Sequence, residues 1–100
     1  MNVITRSSDD GVQVTVEVHG RFDINVYPQF NELIDGAESD TRFTVDLSNT
    51  EYLDSSALGM LLMMREKTGN LKEGVRIVGC CPEVRKVLDV ANLCRLFVVD

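Results

Sequence analysis

Arg42-Phe43-Thr44-Val45-Asp46-Leu47-Ser48-Asn49-Thr50-Glu51-Tyr52-Leu53-Asp54-Ser55-Ser56-Ala57-Leu58-Gly59-Met60-Leu61-Leu62 is the stretch whose pattern decides the fold of this 100-residue chain. Phe43, Val45 and Leu47 alternate with Thr44 and Asp46, the period of two that marks a half-buried strand over Arg42–Leu47. Ser48-Asn49-Thr50 reads as a loop, and Tyr52-Leu53 leads into Asp54-Ser55-Ser56. Ala57–Lys67 then has the Leu and Met content of a helix, ended by Gly69-Asn70. A strand that hands over to a helix through a short polar loop is one step of an α/β fold.

Outward from that stretch the same grammar repeats. Upstream, Val12–His19 alternates cleanly, with Val12, Val14, Val16 and Val18 on one side and Gln13, Thr15, Glu17 and His19 on the other. Val3–Thr5 reads as a short edge strand, joined to it through Asp10-Gly11, a strong hairpin signal. Gly20-Arg21-Phe22-Asp23 breaks the alternation. Asp23 or Asn25 can cap a helix carrying Val26, Tyr27, Phe30, Leu33 and Ile34, with Gly36 as its C-terminal cap. Downstream, Gly74–Val78 is a strand, Pro82 opens a helix bearing Val84, Val87, Leu88 and Ala91, and Leu96–Val99 is a last strand. The order β-β-α-β-α-β-α-β predicts a mixed, mostly parallel sheet of four to five strands. An antiparallel hairpin opens it, and about three main helices pack on one face.

Length and composition fit one domain over 1–100. The chain is 44% hydrophobic and 26% charged, as in an ordinary globular domain. Its longest apolar run, Ala57–Met64, falls far short of the roughly 20 residues a membrane span needs. Met1–Arg6 lacks the charged head and apolar body of a signal peptide, so a cytoplasmic location away from membranes is expected. With 10 basic against 16 acidic residues and no basic stripe, nucleic-acid binding is not expected. The odd set Cys80, Cys81 and Cys94 and the lone His19 complete no metal site, so these read as packing or surface residues and no cofactor is expected.

Asp54-Ser55-Ser56 carries the chemistry. Side-chain oxygens of Asp and Ser satisfy the unpaired N–H groups of a helix start. One hydroxyl can cap the helix while the next points outward from the first turn. A phosphate placed there would meet free N–H groups and the positive end of the helix dipole without unfolding the helix. It would add about −1.5 to −2 charges beside Asp54, which would act on a docked partner. A Ser-Ser pair before a helix serves equally as a plain cap, and the spacing leaves both readings open.

Val45-Asp46-Leu47-Ser48 followed by Leu53-Asp54-Ser55-Ser56-Ala57-Leu58-Gly59-Met60-Leu61-Leu62 resembles the signature of STAS domains, specifically bacterial anti-sigma factor antagonists. Val16–Asp23 resembles that family's second strand and Gly-x-hydrophobic-Asp turn, Val75–Gly79 its fourth strand, and Pro82–Leu88 its closing helix. Ala57 stands where many members carry Gly. The resemblance implies that Ser56 is the phosphoacceptor, that Ser55 caps or supports the helix, and that Asp54 shapes the loop and meets the partner. It also places Asp23 at the same end of the sheet. Gly59 would allow close approach, and Ala57, Leu58 and Met60 would complete a partner-binding patch.

The function so implied is partner switching. Unphosphorylated protein, a monomer when free, would bind a serine kinase that is also an anti-sigma factor. The kinase would phosphorylate Ser56, and a metal-dependent serine phosphatase would reset it. A STAS module with a biofilm or motility output is an alternative, as is a constitutive scaffold whose Ser56 is never modified. Enzymatic activity is not expected: Ser55 and Ser56 lack a base, His19 lies on another strand, and there is no Gly-x-Ser-x-Gly elbow or phosphate loop. One question stays with the helix itself. Leu58, Leu61, Leu62 and Arg65 form one stripe and Met60, Met63, Met64 and Lys67 another, whereas a helix on a sheet needs one apolar stripe. Met60 or Met63, whichever is exposed, would join the interface.

Overall fold

Short valine-rich strands and three helices with one buried side each build the molecule, seen in a computed structural model that describes residues 3–100. In chain order they are β1 (Val3–Ser7), β2 (Gln13–Val18), β3 (Gly20–Phe22), and a 3-10 turn (Ile24–Val26) running into α1 (Tyr27–Asp35). Then come β4 (Arg42–Asp46), β5 (Thr50–Leu53), α2 (Ser55–Lys67), β6 (Val75–Val78), α3 (Pro82–Val90) and β7 (Val98–Val99). Met1 and Asn2, the first residues of the stretch in which no leader is expected, lie outside the described residues.

The main sheet has the order β1-β2-β4-β6-β7. β1 and β2 are antiparallel and every other neighbour is parallel. The order steps one way across the sheet, so right-handed crossovers bring α1, α2 and α3 to the same face. Val16, Val45 and Ile77, side by side in β2, β4 and β6, point into that covered face and are fully buried. Thr15, Glu17, Thr44 and Asp46 point to the other face and are only half-buried. The mixed, mostly parallel sheet and the three helices are those expected from the sequence.

Local differences have local causes. Gly20–Phe22, read as a break, pairs in parallel with Thr50–Leu53, read as loop and lead-in, to make a separate two-stranded sheet. Three and four residues are too few for alternation to show, and the register shifts between Gly20 and Arg21. Gly36 is the C-terminal cap of α1, as expected, with φ −81 in place of a left-handed backbone. α2 ends instead on a left-handed cap. Gly69 (φ 83) and Asn70 (φ 61) turn left-handed, and their N–H groups donate to the carbonyls of Glu66 and Arg65, closing the last turn. Arg65 is half-buried, and its Nε donates to the Leu96 carbonyl at 3.0 Å, tying α2 to the approach to β7.

Candidate functional site

The site is assembled at the carboxyl end of β5, where Asp54 starts α2. With φ −125 and ψ −172 Asp54 is extended, the geometry of an N-cap. Its Oδ1 accepts from the backbone N–H groups of Ser56 (3.0 Å) and Ala57 (3.3 Å) and, at 2.6 Å, from the Ser56 hydroxyl. The Ser56 hydroxyl bond foremost, with those N–H groups and the nearby Arg21 charge, holds the Asp54 carboxyl below its ordinary range. The cap is thus Asp54 and not a serine hydroxyl. Ser55, expected to cap or support, is an exposed first-turn residue.

Asp46 and Ser48 repeat the arrangement one loop earlier. Ser48 donates its hydroxyl (2.5 Å) and its N–H (2.9 Å) to Asp46 Oδ1, and these bonds lower the Asp46 carboxyl. They turn the chain out of β4. Gly79 (φ 75) lies against this turn so closely that a Cβ there would overlap the Ser48 hydroxyl.

β3 brings a second loop beside Asp54. Arg21 pairs with Tyr52 and Phe22 with Leu53, so the residue after β3, Asp23, ends at the same edge as the residue after β5. Asp23 is 8% exposed. Its Oδ1 caps the 3-10 turn through the Asn25 N–H at 3.0 Å, and its Oδ2 accepts from Arg21 Nε at 3.3 Å. Asp23, not Asn25, therefore caps the 3-10 turn, whereas α1 itself starts from Val26 with no side-chain cap, and the Asp23 side chain is committed inside the fold. The guanidinium of Arg21 lies over the Tyr52 ring, 4.1 Å from its centroid. Beyond Asp23, Ile24 is 62% exposed.

The phase of α2 sorts the remaining candidates. Ala57, Met60, Leu61 and Met64, at i, i+3, i+4 and i+7, are buried against the sheet. Of the expected patch, the side chains of Ala57 and Met60 therefore face the core, because they fall on the stripe the sheet must cover. Leu58 is half-buried, and Gly59 is exposed with open space where a Cβ would stand. Leu62 and Met63 are exposed, so of the two methionines it is Met63 that reaches the surface. Arg21, Tyr52, Ile24 and Leu62 were not singled out from the sequence. The helical phase could have found Leu62, since it shares the outward stripe with Ser55, Gly59 and Glu66; nothing in a three-residue strand could have found Arg21.

His19 is half-buried, its Nε2 3.3 Å from a Glu17 carboxylate oxygen. The three cysteines are free thiols. Burial pushes the Cys80 thiol up, and the Asp89 carboxylate that accepts from Cys94 pushes that thiol up too. Among the described residues no group of three or more His, Cys, Asp or Glu side chains is placed to hold a metal ion, and no helix is long and apolar enough to cross a membrane.

A one-way sheet with an opening hairpin, and a capped Asp-Ser-Ser turn at the start of its second main helix, define a STAS domain. Residues 5–99 match the family model described as "Mlab, STAS domain", and the chain belongs to the STAS family. A STAS-domain containing protein of Pseudomonas aeruginosa (strain UCBPP-PA14) is 39% identical over 101 residues, covering 100% of both chains. Among solved structures, an anti-sigma factor antagonist from Mycobacterium paratuberculosis has a TM-score of 0.77 at 25% identity, covering 97% of this chain and 82% of that one. Unphosphorylated SpoIIAA, an anti-sigma factor antagonist and Bacillus cell-fate determinant, has a TM-score of 0.74 at 16% identity, with 98% and 86% covered. At that identity the likeness is one of fold.

Proposed function

We propose that this chain is a non-enzymatic, phosphorylation-controlled switch of the anti-sigma factor antagonist kind. In its unphosphorylated form it binds a serine kinase that is also an anti-sigma factor. That kinase transfers the γ-phosphoryl group of its ATP to Ser56 Oγ, the hydroxyl proton leaves, ADP is released and the complex parts. A metal-dependent serine phosphatase hydrolyses the phosphoester and restores the binding form. Nucleotide and metal belong to those partners.

The observation that carries this reading is the Ser56 hydroxyl itself, partly exposed in the first turn of α2 and held at 2.6 Å by the residue that caps the helix. The cap does not depend on that hydroxyl, because Asp54 also accepts the Ser56 and Ala57 N–H groups. Modification can therefore change the surface and leave the fold intact. Around it Ser55, Gly59, Leu58, Leu62 and Met63 give a partner a mixed surface of hydroxyl, backbone and apolar area. A phosphate dianion there would impose bulk, charge and a desolvation cost.

A constitutive STAS scaffold whose Ser56 is never modified is the second reading, since the family match covers the domain and says nothing of its modification. Intact-mass analysis of wild type and Ser56→Ala, after incubation with ATP and the cognate kinase, separates the two. One added phosphate on wild type alone, with loss of kinase binding, supports the switch. Unmodified wild type, or equal labelling of both, overturns it in favour of the constitutive module.

A further inference from the structure

Four side chains run in line across the site. Arg21 and Tyr52 are cross-strand neighbours on β3 and β5, with the guanidinium stacked on the ring. Tyr52 and Asp54 are two residues apart on an extended chain, so they leave it on the same side. Ser56 Oγ then donates to Asp54. Arg21 is thus a cation at the far end of the row that ends on the acceptor hydroxyl, and its charge is already felt at Asp54.

Its present attachments are weak and separable. Arg21 is 65% exposed, and the Asp23 contact is a single 3.3 Å bond to Oδ2. The capping bond to Asn25 uses the other oxygen, so the 3-10 turn keeps its cap when Arg21 leaves. A phosphate on Ser56, by contrast, replaces the hydroxyl that Asp54 accepts from with a dianion facing a carboxylate. That arrangement calls for a counter-charge, and guanidinium meets phosphate with two parallel N–H donors.

We propose that Arg21 is the internal reader of the Ser56 phosphate: on phosphorylation its guanidinium leaves Asp23 and the Tyr52 ring and pairs with the phosphoryl oxygens. This rests on the phosphorylation reading above and adds a second consequence to it. The phosphate changes the surface at Tyr52 and Ile24 as well as at α2, so both loops of the site alter together.

The test installs phosphoserine at position 56 directly, by genetic encoding, so that no kinase is needed. The phosphate is titrated by phosphorus NMR in the full chain with Arg21 in place and in its Arg21→Gln and Arg21→Lys variants. Asp54 and the helix start act equally in all three, and the difference isolates the guanidinium. The second phosphate pKa is expected about 0.5–1 unit lower with Arg21 than with Gln, with Lys between, the gap narrowing as salt is raised. The Arg21 Nε–H resonance should also move between the unmodified and phosphorylated proteins. Identical phosphate titrations with Arg21 in place and in the Arg21→Gln variant overturn the pairing. Failure of the kinase to label Ser56 overturns only the switch, since the installed phosphate still reports on Arg21.

Discussion

Asp54 Oδ1 accepts three hydrogen bonds and so binds the loop, the helix start and the Ser56 hydroxyl into one unit. Asp54→Ala removes the cap, and a loss of about 1 kcal/mol is expected, read as a fall in Tm of roughly 4–8 °C for a domain this size. Asp54→Asn, which can still cap, should recover most of it. The folded-state pKa values of Asp10, Asp46 and Asp54 are all lowered from 3.8. Depressed carboxyls contribute stability that is present in full above 3.8 and is lost as pH falls through their folded values. Urea midpoints should therefore hold steady down to about pH 4–5 and fall below it, with the fall reduced in the Asp54→Ala variant. Gly79 is the other exposed point of failure. Its left-handed backbone and its contact with Ser48 leave no room for a Cβ, so Gly79→Ala should cost on the order of 1–3 kcal/mol in denaturant unfolding.

At the scale of elements, α2 is the helix whose two sides do different things. Met60→Ala should destabilise by about 2–5 kcal/mol, because Met60 is packed against the sheet. Met63→Ala should move stability by less than about 0.5 kcal/mol and instead weaken binding of the proposed kinase partner, measured by calorimetry. Equal stability losses in both would contradict the assigned phase. Much of this was legible in the residues. Val12–His19 and Arg42–Leu47 announced half-buried strands because one face of each must be covered, and Asp54-Ser55-Ser56 announced a helix start because orphan N–H groups need oxygen acceptors. The phase of α2 was not, since apolar side chains occupy nearly its whole circumference and only contact with the sheet selects a stripe. β3 and β5 escaped for another reason: their pairing spans 30 residues of sequence, from Gly20 to Thr50, and leaves no periodic trace. Arg21 and Tyr52, brought together by that pairing, escaped with them.

For the whole molecule, the one-way sheet concentrates stability in its middle. The amides of Val16, Val45 and Ile77 belong to strands flanked on both sides and covered by helices, and they should exchange with solvent only through global unfolding. The short β3–β5 ladder should open more readily. Native-state hydrogen exchange that ranked the ladder with β4 would show a single cooperative unit instead. The net charge of −6 becomes about −8 on phosphorylation. If the proposed kinase meets this acidic chain through a basic surface, association should slow severalfold between low and physiological salt, and stopped-flow mixing at graded ionic strength measures it.

The clasp between Ser56 Oγ and Asp54 also limits what mimicry can achieve. Replacing Ser56 with Glu or Asp removes the donor from a 2.6 Å bond and turns two carboxylates toward each other, while supplying one charge and no tetrahedral oxygens. Such a protein imitates a broken clasp more than a phosphorylated site. An acidic substitution that fails to release the partner would therefore say little about the phosphate, and one that succeeds could owe its effect to the missing hydroxyl, as Ser56→Ala would reveal.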